Sequence, residues 1–257
     1  MVDQLNNTVN LKNTPKRVIS LVPSLTESIC YIGLEEKIAG VTKFCVHPKH
    51  IKKQKTIVGG TKSLKLERIK ALKPDLIIAN KEENNKEDIE LLSKSFPVYV
   101  SDINSVNDLY NFHKDLGSIF GIEAKTKNLN QEIEKEISKV KNIFKGEKVL
   151  YLIWESPLMG AASKTFINHI LNFIGLKNEL SSLERYPTVE PSNLNPDLVF
   201  LSSEPFPFTE KHIVKYKDLF ENAKVFLVDG EVFSWYGARL LHLVKEVLSI
   251  KNIVIKH

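Results

Sequence analysis

Short apolar runs alternate along this chain with longer segments in which hydrophobic residues return every three or four positions. The first run, "RVISLVPS" (17–24), ends in Pro and Ser. A helical stretch, "LTESICYIGL" (25–34), follows it and closes on Gly33, where a left-handed cap is wanted. The same order returns later as "KVLYLIWESPLMG" (148–160) and "KTFINHILNFIGL" (164–176), closing on Gly175. "ALKPDLIIAN" (71–80) and "NLNPDLVFLS" (193–202) echo each other more closely, with Pro74 and Asp75 matching Pro196 and Asp197. The apolar run after each Pro-Asp has no polar alternation, as in strands buried on both faces of a parallel sheet. A charged helical segment follows each, and then another strand: "FPVYVSD" (96–102) and "AKVFLVDGE" (223–231). Strand, helix, strand, helix, strand therefore occurs twice.

Parallel strands need helical crossovers, so each half reads as an α/β layer structure. The expected fold is two Rossmann-like lobes with mainly parallel central sheets, the alternative being one continuous sheet of about ten strands. Between the halves, Leu129, Ile133, Ile137, Val140 and Phe144 mark one face of an amphipathic helix. Drawn from Ala124 to Lys145, that helix would run ~33 Å. The expected division is an N-terminal lobe over 1–121, an interlobe helix over 122–146 and a C-terminal lobe over 147–257. Two lobes on one strut leave a cleft.

Composition narrows the function classes. The 257 residues carry 36 Lys and Arg against 31 Asp and Glu, a formal charge of +5, with no basic block on any one element. That mixture gives no footprint for nucleic acid. No apolar stretch reaches the ~20 residues of a membrane span. "MVDQLNNTVNLKNTPKR" lacks the apolar core of a secretory signal, so the chain as written reads as cytoplasmic, or periplasmic if a leader has been removed. Cys30 and Cys45 cannot make a disulfide framework, and Cys30 reads as a buried, inert thiol.

In open α/β sheets the ligand lies beyond the carboxyl ends of the strands. Those ends carry "VPSLTE", "TKFCVHP", "VGGTKS" and "NKEEN" in the first half, and "WESPLMG", "RYPTVEPS", "SSEPFPF" and "DGEVFSWYG" in the second. Phe44, Trp154, Tyr186, Phe206, Phe208, Phe233, Trp235 and Tyr236 would suit a large, partly apolar ligand there. "KFCVHP" offers Cys45 and His47 as metal donors, but without a second donor pair at ligand spacing. His47 therefore stands as a weak metal candidate, with carboxylates such as Glu82 or Glu204 as partners in a bare-metal receptor. No G-x-S-x-G, G-x-x-x-x-G-K-[ST] or G-x-G-x-x-G motif occurs, so no catalytic residue is assigned. Asp75 and Asp197 read as turn and capping residues.

"RVISLVPSLTESICYIGLEEKIAGVTKFCVHP", "VGGTKSLKLERIKALKPDLIIAN" and "FSWYGAR" resemble the cobalamin-type periplasmic substrate-binding proteins of ABC importers. This helical-backbone (class III) family includes receptors for ferric siderophores, haem and metals, and the resemblance runs from about Pro15 to Val254. It implies two α/β lobes, one long interlobe helix, a ligand held in the cleft, and little closure. It also implies a non-catalytic monomer with no intrinsic cofactor, whose ligand is a metal chelate such as cobalamin. On that expectation Phe44, Trp154, Tyr186, Phe233, Trp235 and Tyr236 supply ring surface. Ser24, His47, Lys62, Ser203, Glu204 and Arg239 set polar orientation. The family also docks one acidic residue per lobe on arginines of the permease; Glu87 and Glu210 fall in the matching segments, as do Glu82, Glu83 and Glu204. A cytosolic relative that binds the same ligand without a transporter is the alternative.

Overall fold

A computed structural model describes residues 1–256. The chain forms two compact units. The first holds Met1–Glu132 together with Tyr236–Ala238, and the second holds Ile133–Trp235 with the chain from Arg239 onward.

The first unit is built on a five-stranded sheet. Its strands are β1 (Val18–Ser20), β2 (Ile38–Val41), β3 (Thr56–Ile57), then, after the small antiparallel hairpin β4 (Gly59–Gly60) and β5 (Ser63–Leu64), β6 (Leu76–Asn80) and β7 (Val98–Ser101). Their order, β3-β2-β1-β6-β7, is parallel throughout and reverses direction between β1 and β6. Helices α1 (Pro23–Tyr31), α2 (Ile51–Gln54), α3 (Leu66–Ala71), α4 (Lys86–Ser93) and α5 (Val106–Phe120) make the crossovers and flanks. Every residue of β6 is buried, as the unbroken apolar run required. Ile19, Leu21, Ile69, Ile77, Ala79 and Val98 form the core beneath α3 and α4.

Helix α6 (Glu123–Ile137) carries the boundary between the units. All five residues of the foreseen apolar face are buried. The helix itself is shorter than foreseen: fifteen residues, ~22 Å at 1.5 Å per residue. Past Ile137 the chain makes a 3-10 turn and Asn142 takes a φ of 52°. The amides of Asn142, Phe144 and Gly146 then donate to the carbonyls of Phe173, Ile174 and Gly175, at 3.0, 3.0 and 2.9 Å. Those carbonyls end a neighbouring helix and would otherwise be orphaned, so tertiary bonds displace the helical ones. Spacing gave the buried side chains correctly but not the backbone that carries them.

The second unit repeats the scheme. Strands β8 (Lys148–Glu155), β9 (Leu158–Gly160), β10 (Lys177–Asn178), β11 (Leu198–Ser202) and β12 (Lys224–Val228) give the order β10-β8-β11-β12, with β9 antiparallel on β8. Helix α7 (Phe166–Phe173) follows the hairpin, α8 (Glu210–Leu219) follows β11, and α9 (Gly230–Ser234) and α10 (Leu243–Lys256) follow β12. Leu150, Leu152, Val199, Leu201, Phe208 and Tyr216 form its core.

The echoed Pro-Asp has the same task in both units. Asp75 accepts from the backbone amides of Lys16 and Arg17 at 2.7 and 2.8 Å, and so clamps the start of β1 to β6. Asp197 accepts from the amide of Lys148 at 2.7 Å, holding the start of β8 against β11. Gly33 and Gly175, with φ of 82° and 93°, close α1 and α7 as the pattern required. Cys30 is half-buried rather than buried, and burial together with the charge of Glu35 pushes its thiol up to about 12.

Candidate functional site

In the first unit the topological switch lies between β1 and β6, so the loops beyond Ser20 and Asn80 are where a ligand would be met. Pro23 opens α1 in the one helical position where a missing amide costs nothing. Ser24 follows it, 4 % exposed, and its carbonyl accepts from Ser28 Oγ at 3.2 Å. Cys45 is buried between Thr26 Oγ1 at 3.2 Å and Thr42 Oγ1 at 3.3 Å, and burial raises its thiol, so it makes a structural contact. His47 is half-buried. Phe44 lies 48 % exposed with Lys43 Nζ 4.9 Å from its ring centre.

Gly60 leaves room for the Phe44 ring: a Cβ at Gly60 would come within 3.2 Å of it. Lys62, at the tip of the same hairpin, donates to the carbonyls of Glu82 and Asn84. Its ammonium thus ties the β4–β5 hairpin to the loop after β6. That loop is also braced from within, since Asn80 Oδ1 accepts from the amides of Glu82 and Glu83 at 2.8 and 3.1 Å. Asn84 Nδ2 adds a bond to the Thr61 carbonyl at 3.1 Å. Sequence reading passed over Asn80 and Asn84. An Asn on either side of a short acidic loop was the available signal.

The second unit switches between β8 and β11. Trp154, near the end of β8, is 38 % exposed; its indole nitrogen donates to the Ser156 carbonyl at 3.1 Å, and its ring meets Phe206 edge-on. Tyr186 is half-buried on the segment that pairs with the β9 region. Ser203 is exposed, and its hydroxyl accepts from the Gly230 amide at 2.9 Å. Phe233 is fully buried against Tyr151 and Phe200, and so supports the strand ends rather than lining them. Phe208 is core as well.

Glu204, Ser234, Trp235 and Arg239 come together in this unit. Glu204 Oε1 accepts from Trp235 Nε1 at 2.7 Å and from Ser234 Oγ at 3.0 Å. Burial pushes the Glu204 carboxyl above the usual carboxylate range; these two bonds pull it back, and the nearby Glu231 and Asp229 push it up again. Arg239, nearly buried, sits 5.5 Å over the Trp235 ring and 3.6 Å from Glu231 Oε2. Tyr236 groups with the first unit, where Gly237 and Ala238 pack on α1; the Ala238 amide donates to Ser28 Oγ at 3.1 Å.

Glu87 and Glu210 are exposed in the first turns of α4 and α8, where a carboxylate also complements the helix dipole. Among the described residues no three His, Cys, Asp or Glu side chains gather into a set able to hold a metal. No described helix is long and apolar enough to cross a membrane. A cavity of about 780 Å³ lies in the first unit between the N-terminal arm, α4 and β7. Its charged walls are spent internally: Lys81 pairs with Asp102 and Lys86 with Glu90.

Two α/β units, each with a mainly parallel sheet and a braced polar loop beyond a switch-point strand, define a two-lobed α/β fold. The chain belongs to the periplasmic binding protein family, whose model matches residues 18–215. It is 27% identical to an ABC transporter substrate-binding lipoprotein, YvrC, of Bacillus subtilis, over 95% of this chain and 82% of that one. It is 28% identical to the vitamin B12-binding protein of Vibrio parahaemolyticus, over 76% and 74% of the two chains. Among solved structures, the vitamin B12-binding protein BtuF of Vibrio cholerae superposes with a TM-score of 0.78 at 20% identity, covering 95% of this chain and 99% of that one. The siderophore-binding protein BauB gives 0.79 at 19% identity, covering 96% of each. These likenesses establish the fold expected from the motifs. They lend no support to cytoplasmic residence, since the relatives are named as periplasmic or lipoprotein substrate-binding proteins.

Proposed function

We propose that this chain is the substrate-binding protein of an ABC-type importer and captures a bulky, metal-containing organic ligand without transforming it. A corrinoid is the first choice, a ferric siderophore or haem the second. The observation that carries the reading is that Phe44, Trp154 and Trp235 keep partly exposed rings on the carboxyl side of strands: Phe44 after β2, Trp154 at the end of β8, and Trp235 beyond α9 but hydrogen-bonded to Glu204 after β11. Half-exposed aromatic surface of this kind gains by covering itself with a flat, largely apolar macrocycle. Membership of the periplasmic binding protein family supports it, as do relatives whose names record vitamin B12. Lys62, whose ammonium is already on two carbonyls, acts as a loop tie; Ser203 acts through the Gly230 amide it holds, and the Ser24 carbonyl is itself held by Ser28. The partner on this reading is an ABC permease met by the exposed Glu87 and Glu210, and the working compartment lies outside the cytoplasm.

The test is a titration followed by tryptophan fluorescence, because both tryptophans belong to the proposed site. Cyanocobalamin is expected to quench saturably, and Trp235→Phe to remove much of the quenching and weaken binding about tenfold, equivalent to ~1.4 kcal/mol. Failure of cyanocobalamin, haemin and a ferric siderophore alike to quench or bind would end this reading.

A further inference from the structure

Both donors that reach the Glu204 carboxylate use the same oxygen. Trp235 Nε1 and Ser234 Oγ converge on Oε1, at 2.7 and 3.0 Å. Among the described residues no hydrogen bond or ion pair takes Oε2. The backbone behind the carboxylate is fixed: Ser202 Oγ donates to the Glu204 carbonyl at 2.6 Å. Gly230 seals the other side, where a Cβ would lie 2.7 Å from Glu204 Cγ and 2.9 Å from its amide nitrogen. The neighbouring charges are committed elsewhere. Asp229 caps α9 by accepting from the Glu231 amide at 3.0 Å, Glu246 accepts from the Asp229 amide at 3.0 Å, and Arg239 faces Glu231. A half-buried carboxylate oxygen held in this way has lost part of its water and gains most from an incoming hydrogen-bond donor.

We propose that Glu204 Oε2 reads the polar edge of the ligand, selecting a molecule that presents neutral donors, amide or hydroxyl, over one that presents carboxylates. The inference rests on the binding reading above and narrows it. An amide-bearing corrinoid edge pairs with Oε2, whereas a haem propionate or a polycarboxylate chelate brings a like charge against it. Oε1 supplies the second half of the device by fixing the indole beside the reading oxygen.

The experiment compares cyanocobalamin, the monocarboxylic acids made from it by hydrolysing one side-chain amide, and haemin, on the wild type and on Glu204→Gln. Glutamine keeps an acceptor for the indole but presents an amide in place of Oε2. At least one acid isomer is expected to bind the wild type tenfold or more weaker than cyanocobalamin, and Glu204→Gln to bring that ratio within threefold. The near-ultraviolet dichroism of the tryptophans stays unchanged. An unchanged ratio, a wild type that prefers haemin or the acids, or loss of the tryptophan signal in Glu204→Gln would overturn the proposal; the last would make Glu204 a brace for the ring alone. If cyanocobalamin does not bind, haemin decides: Glu204→Gln has to raise its affinity, and an equal or absent affinity overturns the inference.

Discussion

Removing the aspartate clamp should destabilise the two units by different and calculable amounts. Asp75 holds two backbone amides, at 2.7 and 2.8 Å, where Asp197 holds one, at 2.7 Å. A net hydrogen bond is worth about 0.5–1.5 kcal/mol, and more when one partner is charged, but water replaces part of it at an exposed strand start. Taking ~1 kcal/mol per bond, Asp75→Ala costs about 2 kcal/mol and Asp197→Ala about 1. With a urea m-value of about 2 kcal/mol per molar for a unit of this size, the midpoints fall by ~1 M and ~0.5 M. Trp154 and Trp235 both belong to the second unit, so fluorescence follows that unit while far-ultraviolet dichroism follows both. Asp197→Ala should move the fluorescence transition, and Asp75→Ala the dichroism transition. Asn at either position keeps one acceptor oxygen and should recover part of the loss. An effect at Asp197 as large as or larger than that at Asp75, or none at either, would refute the reasoning from the number of bonds each clamp holds.

Two further outcomes follow from buried geometry. His113 is fully buried with Nδ1 2.5 Å from Asn130 Oδ1, and Nε2 is buried with no hydrogen-bond partner among the described residues; burial pushes its pKa down to about 4. A depressed folded pKa means the unfolded ring takes the proton first, so stability present above about pH 6.5 is lost as pH falls toward 4. The full drop is about 3 kcal/mol, and His113→Gln should flatten it in pH-resolved urea melts; an unchanged slope would discount the role of the ring. Gly59 has a φ of 116° and a Cβ there would lie 2.4 Å from the Ser63 carbonyl, so Gly59→Ala should lower thermal stability by at least ~1 kcal/mol. It should also weaken cyanocobalamin binding through the displaced Phe44 and Lys62, and normal binding would count against the hairpin as a support of the site.

The scaffold was legible because burial and strand pairing write themselves into local pattern. The strands came from unbroken apolar runs, Gly33 and Gly175 from the need for a left-handed cap, and Leu129 to Phe144 from helical spacing. Where a long-range bond decides, the pattern fell silent. The end of α6 at Ile137 is set by amides that find carbonyls of α7, and nothing within residues 138–146 announces that. "WESPLMG" turns back as the β8–β9 hairpin, and "VGGTKS" as β4–β5, where the local pattern shows only strand-end loops. The N-terminal arm carries no periodic pattern, yet Asp3 takes the amides of Leu5, Asn7 and Val100, and thereby covers part of the edge strand β7. Glu204 and Trp235 were each singled out as ligand contacts. That one orients the other is a property of the fold.

The two halves keep one construction and use it differently at the strand end. Asn80 and Ser202 are the last residues of β6 and β11, both buried, and each ties down the residue two places on: Asn80 through the Glu82 amide at 2.8 Å, Ser202 through the Glu204 carbonyl at 2.6 Å. The glutamates so placed are counterparts in the echoed segments. In the first unit the Glu82 backbone carbonyl takes the Lys62 ammonium, so that loop is closed by its own chain. In the second the Glu204 side chain takes the Trp235 indole on one oxygen and keeps the other. A brace that faces inward stiffens a wall, whereas a brace that leaves an acceptor over can discriminate. If the proposed reading holds, ligand selectivity belongs to the second unit, and changes at Glu204 should alter it while changes at Glu82 should not.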